Sequence, residues 1–491
     1  MLLGLLFLIF LLLLAFRAPL GVALSLSSFV VIVLAQLNPV NLVTNSYRTL
    51  DSFALLAIPF FLLIGMFTAY TSLAQRLLDL ADLLVGRIRG GLGHVNVVSS
   101  MLFGGVSGSA TADVASLGAV LIPMMKRRGY SAEYSAAITA ASSTMGLMLP
   151  PSIVMIVYGA FVNTSIGALF LTGILPGIVL GLLMLFINFV HVRRKGIDAR
   201  RNNHELSIDA DADALDETTG TAPLPEEATA IAAEPGSERK RASTLMRFIL
   251  PRASGALDKV DYTDGAQRRP WYATVVRGLP IMFIPVLIVV GIRGGILSPT
   301  EAGAMALVYL VLLVAVFYRE LNAQNARTIS RESLMLTAQI LFAVAASGVF
   351  GWVLSMLGAA QAISGFVQSG AFTPTTYLLM VVAIFTVIGT FIDAVPAVII
   401  FAPLFSGAAL SLGIHPVHLG IVVVAVLGMG LLTPPYGLSL LIAARLAKIT
   451  IWQATKAIVP FWAAGYFVII ALAMSEEVAL FLPRLLAPDL F

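Results

Sequence analysis

The chain has 491 residues, of which 59% are hydrophobic and only 11% charged, and its mean hydropathy is +0.95. A soluble domain of this length could not bury so much apolar surface, so the composition indicates a polytopic membrane protein. The sequence contains no cysteine, which excludes disulfides, thiolate metal sites and cysteine catalysis. The net charge of +4 reflects short basic loops and does not indicate a surface for nucleic acid.

The first sixteen residues, MLLGLLFLIFLLLLAF, are apolar throughout. They carry no basic residue before Arg17 and no cleavage site of small residues. This pattern predicts a retained first helix and not a cleaved signal peptide.

Residues 92–125 lie between two basic clusters, with Arg87 and Arg89 before them and Lys126 to Arg128 after them. Basic clusters in short loops mark the cytoplasmic side, so both ends of this stretch are expected there. Two full spans need ~40 apolar residues, and the centre of this shorter stretch is the small and polar GGVSGSATAD of 104–113. The sequence therefore predicts a re-entrant hairpin over about 92–125, surrounded at its tip by protein or a water-filled cavity.

The next apolar stretch is interrupted by SSTMGLMLPPS at 142–152. Pro150 and Pro151 each lack an N–H, and each ring clashes with the carbonyl one turn earlier. This predicts a broken helix facing the hairpin. The alternative is that the prolines only kink a packed helix.

A polar segment separates two apolar halves of the chain. Residues 193–270 hold 13 of the 30 Lys and Arg and 14 of the 26 Asp and Glu, with few aromatic residues. This composition predicts a disordered cytoplasmic linker at 193–271 between membrane halves 1–192 and 272–491. A small regulatory domain is the alternative, but the segment has too few apolar residues to form a core.

The second half repeats the breaks of the first. A shift of 284 places Gly146 on Gly430 and Pro150-Pro151 on Pro434-Pro435, within GLMLPP and GLLTPP. Residues 370–420 carry no Lys or Arg, so a second hairpin at about 380–410 is expected to enter from the periplasmic side. Inverted repeats with paired broken helices are typical of secondary transporters, because a break frees carbonyls and N–H groups as ligands.

Five stretches resemble the large membrane (permease) subunit of tripartite ATP-independent periplasmic (TRAP) transporters. They are AIPFFLLIGM (57–66), GGVSGSATADVASLGAVLIPMMKRRGYSAEYSAAITAASSTMGLMLPPSIVMIVYGA (104–160), SIGALFLTGILPG (165–177), GGILSPTEAG (294–303), and HPVHLGIVVV with GLLTPPYGLSL (415–440). The resemblance covers nearly the whole chain outside 193–271.

This resemblance implies an all-α, elevator-type transporter of the ion-transporter superfamily in the bacterial inner membrane, with two re-entrant hairpins and two broken helices. It implies sodium as coupling ion, no other cofactor, and a small organic acid such as a C4-dicarboxylate as substrate. The implied partners are a periplasmic substrate-binding protein, a small four-helix membrane subunit and the lipid bilayer. The chain carries no fused small subunit, so that partner is expected to be separate.

In the family, sodium sites lie where a hairpin faces a break. Carried onto this sequence, the resemblance implies sodium- and substrate-binding positions at Ser107, Gly108, Ser109, Asp113, Ser142, Ser143, Thr144, Gly146, Thr390, Asp393, Gly430 and Thr433. The helix breaks lie at Pro150, Pro151, Pro434 and Pro435.

Asp113 and Asp393 are the only acidic residues in the two predicted hairpins. A carboxylate inside a membrane is costly to bury and is a functional candidate for that reason. We expect Asp393, which apolar residues bracket in TFIDAVPA, to be the stronger candidate. For Asp113 the alternative is a helix cap behind the hairpin tip.

Two other functions are alternatives for a sequence of this kind. Two membrane aspartates could belong to an intramembrane aspartyl protease, but neither lies in the Tyr-Asp or Gly-x-Gly-Asp setting of those enzymes. A stand-alone sodium/dicarboxylate symporter is the nearer alternative. No G-x-x-x-x-G-K-[ST] motif occurs, which argues against direct use of ATP.

Overall fold

The computed structural model describes residues 2–16, 18–196, 271–370, 372–434 and 437–488. Within these ranges it is built of helices and contains no strand. The helices before residue 197 are α1 (Leu2–Ala15), α2 (Leu20–Leu34), α3 (Val40–Leu50), α4 (Ala57–Tyr70), α5 (Leu73–Val85), α6 (Gly91–Ser107), α7 (Ala110–Arg127), α8 (Ala132–Ser143), α9 (Met145–Met148), α10 (Ile153–Val162) and α11 (Ile166–Lys195), with a 3-10 turn at Phe53–Leu56.

The second half begins after residue 270. Its helices are α12 (Trp271–Arg293), α13 (Pro299–Leu312), α14 (Ala323–Met356), α15 (Ala359–Ser369), α16 (Pro374–Phe391), α17 (Ala394–Ser411), α18 (Pro416–Gly430), α19 (Leu438–Leu446), α20 (Ile451–Met474) and α21 (Glu476–Leu486). A single π-helical turn, Leu313–Phe317, follows α13.

Eight of the described helical segments are long and apolar enough to cross a membrane, or nine if the bent pair around Pro150 and Pro151 is one span. That pair, Ala132–Met148 and Ile153–Val162, bends by 40° at the break. The membrane protein predicted from composition and the all-α class implied by the family resemblance are therefore confirmed.

Helices flank the predicted linker on both sides, and the division into two membrane halves stays a prediction. Helix α11 continues through Arg193 to Lys195, and α12 begins at Trp271. A terminal basic cluster suits the negative end of the α11 dipole, which explains why the helix includes it. Residues 197–270 of the predicted linker lie outside the described residues.

Both predicted hairpin regions form a pair of helices joined by two residues. The first pair is α6 and α7, spanning 91–127, and the second is α16 and α17, spanning 374–411. Each arm of the second pair by itself has the length and composition of a candidate span, whereas neither α6 nor α7 does. The re-entrant path of both pairs stays a prediction.

The two halves have helices that begin at a constant spacing. Helix α7 begins at Ala110 and α17 at Ala394, and α8 begins at Ala132 and α18 at Pro416, so both pairs are 284 residues apart. The packing is also reciprocal, since α7 contacts α19 while its counterpart α17 contacts α10. The first arm of each pair contacts the broken helix of its own half, α6 with α8 and α16 with α18.

Helix α13 starts as its sequence predicts. Ser298 caps the helix, its hydroxyl accepts the N–H of Glu301, and Glu301 accepts the N–H of Ser298 in return. Pro299 occupies the first helical position, where its missing N–H has no intrahelical partner to lose. Glu301 therefore has a structural role at the start of α13.

Candidate functional site: two helix breaks

The tip of the first helix pair is the three-residue turn Ser107-Gly108-Ser109. Helix α6 ends at Ser107, Gly108 has a positive φ of 63°, and Ser109 caps α7 by accepting the N–H of Ala112 at 3.4 Å. Only glycine adopts such a φ without strain, so Gly108 allows the chain to reverse within two residues. The positive end of the α7 dipole consequently lies at this tip.

The tip touches the Pro-Pro break of the same half. A Cβ on Gly108 would lie 2.2 Å from the carbonyl oxygen of Pro151 and 3.5 Å from the backbone nitrogen of Ile153. Pro150 and Pro151 occupy the gap between α9 and α10, and the peptide bond between them is cis. The predicted facing of hairpin and break is thus present as a direct backbone contact.

A second glycine contact joins α6 to the broken helix. A Cβ on Gly104 would lie 2.7 Å from the Cα of Gly146. Gly146 also approaches the start of α7, since its own Cβ would lie 3.8 Å from the backbone nitrogen of Ala110. The absence of side chains at Gly104 and Gly146 lets hairpin and broken helix meet through their backbones.

Buried hydroxyls line the helix that leads into the break. Ser142, Ser143 and Thr144 are all fully buried. The Ser143 and Thr144 hydroxyls donate to carbonyls of their own helix, Ala140 at 2.7 Å and Ala141 at 2.7 Å. Such bonds leave the lone pairs of each hydroxyl available to a cation.

Ser142 belongs to a polar network that the sequence analysis missed. Its hydroxyl lies 2.9 Å from that of Ser100 and donates to the side-chain oxygen of Asn96 at 3.1 Å. Asn96 in turn donates to the hydroxyl of Thr139 at 2.6 Å. The Asn within the apolar stretch HVNVVSS could have predicted this network, because a membrane helix seldom carries a buried amide without a hydrogen-bond partner.

Asp113 is the buried carboxylate of this half. It lies in the first turn of α7, is 0% exposed, and neither carboxylate oxygen has a hydrogen-bond partner among the described residues. Ser109, not Asp113, is the cap of α7, so the helix-cap alternative does not apply. An ionised carboxylate so placed requires a counter-charge or a proton, because its burial alone is very costly.

The second half has a similar but more open break. Thr390 is nearly buried and donates to the carbonyl of Val387 at 2.7 Å, whereas Asp393 is exposed. Asp393 precedes α17 in the cap position but makes no side-chain cap hydrogen bond. The role of both acids in binding, and the expectation that Asp393 is the stronger candidate, stay predictions.

The second break follows α18. A Cβ on Gly389 would lie 3.2 Å from the Cα of Gly430, the counterpart of the Gly104 contact with Gly146. Thr433 donates to the carbonyl of Met429 at 3.0 Å, and Pro434 follows it. Pro435 lies outside the described residues.

The two broken helices contact each other. A Cβ on Gly428 of α18 would lie 3.8 Å from the Cβ and the carbonyl oxygen of Thr144. The structure thus brings Ser107 to Ser109, Gly146 and the Pro150-Pro151 break together, and joins them to the second half through Thr144 and Gly428. No group of three or more His, Asp or Glu able to hold a metal occurs among the described residues.

Hydroxyl and backbone oxygens dominate both breaks. They suit a hard monovalent cation, which prefers several oxygen ligands and does not need a cluster of full negative charges. The N-termini of α7 and α17 lie at the two tips and favour an anion. The arrangement can therefore bind a cation and an anion in neighbouring positions.

Comparison with known proteins adds a family. Residues 7–478 match the family model described as tripartite ATP-independent periplasmic transporter, DctM component. The chain is 31% identical to the C4-dicarboxylate TRAP transporter large permease protein DctM of Pseudomonas aeruginosa, over 90% of this chain and 89% of that protein. It is 28% identical to the sialic acid TRAP transporter large permease protein SiaM of Vibrio cholerae, over 95% of each chain. It is also 29% identical to the isethionate TRAP transporter permease protein DctMQ of Oleidesulfovibrio alaskensis, over 92% of this chain but 61% of that protein.

Proposed function

The chain belongs to the DctM component family of tripartite ATP-independent periplasmic (TRAP) transporters, and from that premise we propose that it takes up a small organic acid by sodium symport. As a large permease subunit it is an inner-membrane secondary transporter and not an enzyme. Family membership excludes the intramembrane protease that two membrane aspartates had left open.

The contact between Gly108 and Pro151 is the observation that carries the proposal. It places the N-terminus of α7 and the carbonyl oxygen of Pro151 side by side. A transporter that couples a cation to an anion needs hydrogen-bond donors for the anion and oxygen ligands for the cation close together. These donors and oxygens must not be bonded to each other. Sodium would be held by the oxygens around Ser107 to Ser109 and Thr144, and in the second half by those around Thr390 and Thr433.

The names of the relatives support an anionic substrate. A C4-dicarboxylate, sialic acid and isethionate differ in size and in acid group, but each is an organic anion. No Lys or Arg lies between 390 and 434 or between 104 and 125, so the anion would be held by helix N-termini and hydroxyls. We assign the substrate class as small organic acids.

The partners follow from the family. We propose that a periplasmic binding protein delivers the substrate and that a separate small membrane subunit completes the permease. The isethionate relative is a longer protein, since this chain spans only 61% of its length. An elevator movement of the two hairpin-and-break units against the remaining helices would carry the site across the membrane.

Uptake by purified components in proteoliposomes tests this function. We expect accumulation of labelled acid only with an inward sodium gradient, the small subunit and the loaded binding protein together. Uptake by the chain alone, with sodium but without the other two proteins, would identify the stand-alone symporter instead. Uptake that needs ATP and no sodium gradient would contradict both.

A further inference from the structure

A small cavity lies at the predicted cytoplasmic ends of α5, α6 and α7, away from both breaks. Its volume is ≈ 200 Å³, and its walls come from α5, from the loop between α5 and α6, and from the end of α7. The polar and charged side chains that line it are Asp79, Asp82, Arg128 and Tyr130. Cavity walls with charges of both signs are unusual for a site of packing only.

The charges of opposite sign come from different segments of the chain. Asp79 and Asp82 are three residues apart on α5 and so share one face of that helix. Arg128 follows α7 and is half-buried, and neither Arg128 nor Asp82 forms an ion pair among the described residues. Gln75 donates to Asp79 at 2.8 Å, so that carboxylate is already oriented.

Tyr130 gives a second, independent indication of a ligand. The side chain is only 5% exposed, and its hydroxyl is buried with no hydrogen-bond partner among the described residues. Burial raises the pKa of Tyr130 to about 12, so the hydroxyl keeps its proton and can donate. A buried hydroxyl without a partner costs free energy that a hydrogen-bonding ligand would recover.

Neither a simple cation nor a simple anion suits these walls. A cation between the two carboxylates would be repelled by Arg128, and a phosphate beside Arg128 would face Asp79 and Asp82. A zwitterion that carries an ammonium at one end and a phosphate at the other satisfies both walls. A primary ammonium is favoured over a quaternary one, because its three N–H groups can donate to the carboxylates.

The surroundings of the cavity indicate a lipid as the source of this group. Arg87, Arg89 and the cluster Lys126 to Arg128 are expected at the cytoplasmic membrane surface, which is the depth of phospholipid headgroups. Beside the exposed Asp82, the apolar side chains of Leu84 and Ile88 are 62% and 44% exposed. They offer acyl chains an apolar contact next to the cavity.

We propose that this cavity is a binding site for the headgroup of phosphatidylethanolamine. Asp79 and Asp82 bind the ammonium, and Arg128 with Tyr130 binds the phosphate. The lipid would lie between α5 and the base of the first helix pair, and would therefore bridge α5 to the helices that carry the transport site.

Native mass spectrometry of the full-length chain in detergent tests the site. Phosphatidylethanolamine, phosphatidylcholine and phosphatidylglycerol with the same acyl chains would be added at equal concentration. We expect the wild type to retain phosphatidylethanolamine in preference to the other two. Asp82→Asn and Arg128→Gln are each expected to lose about tenfold in that affinity, and Tyr130→Phe less, because a neutral hydroxyl contributes less than a charge.

Arg127→Gln is the matched control, because Arg127 is the exposed neighbour of Arg128 and does not line the cavity. It should retain the wild-type preference. Equal retention of all three lipids by the wild type would overturn the proposal, and so would an equal loss in Arg127→Gln. Displacement by free phosphoethanolamine at the same concentration would contradict the lipid source. If Arg128→Gln fails to fold, Asp82→Asn at an exposed position still decides the question.

Discussion

Gly430 and Gly389 contact each other through their backbones, so that a Cβ on Gly430 would lie 2.6 Å from the Cα, the carbonyl carbon and the oxygen of Gly389. Backbone atoms cannot move aside as the end of a flexible side chain can. The broken helix of the second half and the first arm of its helix pair are therefore in direct backbone contact at these two glycines. The same contact joins Gly104 and Gly146 in the first half.

We predict that Gly430→Ala destabilises the protein by ~1–3 kcal/mol through overpacking. Gly407→Ala is the control, since Gly407 lies within α17 of the same half and a Cβ there would meet nothing within 4 Å. It should be neutral or stabilising by up to ~1 kcal/mol. Thermal unfolding in detergent measures both, and equal melting temperatures for the two variants would show that the glycine contact is not tight.

Gly108→Ala should abolish transport while the protein still inserts. Two effects act there, a φ of +63° and a Cβ 2.2 Å from the Pro151 oxygen, and together they displace the tip from the break. Gly129→Ala separates the effects, because Gly129 has a φ of +84° but open space around its Cβ. Uptake in proteoliposomes should fall to background in the first variant and persist in the second. Comparable uptake by both would mean that the tip need not touch the break.

Asp393→Asn and Ser109→Ala are expected to raise the sodium concentration needed for half-maximal uptake, by about tenfold and about threefold, because contacts to charged groups are the stronger ones. Asp51→Asn, at an exposed position outside both breaks, should behave as wild type. Unchanged sodium dependence in both site variants would mean that neither residue contributes to sodium binding. Collapse of the fold in Asp393→Asn alone would make Asp393 structural and leave the Ser109 side of the assignment standing.

An ion pair between Arg76 in the first half and Glu320 in the second half gives a prediction about pH. Arg76 of α5 contacts Glu320 at 2.6 Å and stacks 3.9 Å from the ring centre of Tyr318, while the Ser72 N–H donates to Glu320 at 3.0 Å. Burial acts to raise the pKa of Glu320, but the bonds from Ser72 and the charge of Arg76 outweigh it and hold the pKa below its ordinary value. Glu320 thus adds stability above the pKa that it has when unfolded, and this stability is lost as pH falls through the lower folded value.

A double-mutant cycle with Arg76→Gln and Glu320→Gln should give a coupling free energy of ~1 kcal/mol at pH 7. The coupling should decline below about pH 4.3, the ordinary range of a Glu carboxyl. Arg484 and Glu476 form the control pair, because both are well exposed and solvent screens their attraction. Equal coupling in the two pairs, or coupling that grows as pH falls, would contradict this reading of Glu320.

Local chemistry made the breaks predictable from the sequence. Pro150, Pro151 and Gly108 each restrict or free the backbone in a way that does not depend on distant residues, and each lies at a break in the structure. The repeat spacing was also predictable from the sequence, because Gly146 and Gly430 occupy the same position in the two motifs GLMLPP and GLLTPP.

Tertiary contacts were not predictable in the same way. The partner of Gly430 is 41 positions earlier in the chain, and Arg76 meets Glu320 across 244 positions, so no local pattern pairs them. The exposure of Asp393 and the burial of Asp113 depend on how neighbouring helices pack around otherwise similar tips. The immediate neighbours of these two acids in the sequence do not determine that packing.

Sodium binding by the purified chain tests the central claim that the two breaks form the coupling site. The measurement is the melting temperature in sodium chloride against choline chloride at constant ionic strength. A ligand that binds only the folded state adds ~2.7 kcal/mol of stability at one hundred times its dissociation constant. We expect a rise with sodium in the wild type and in Gly129→Ala, and no rise in Gly108→Ala. The same melting temperature in both salts for the wild type would contradict the account.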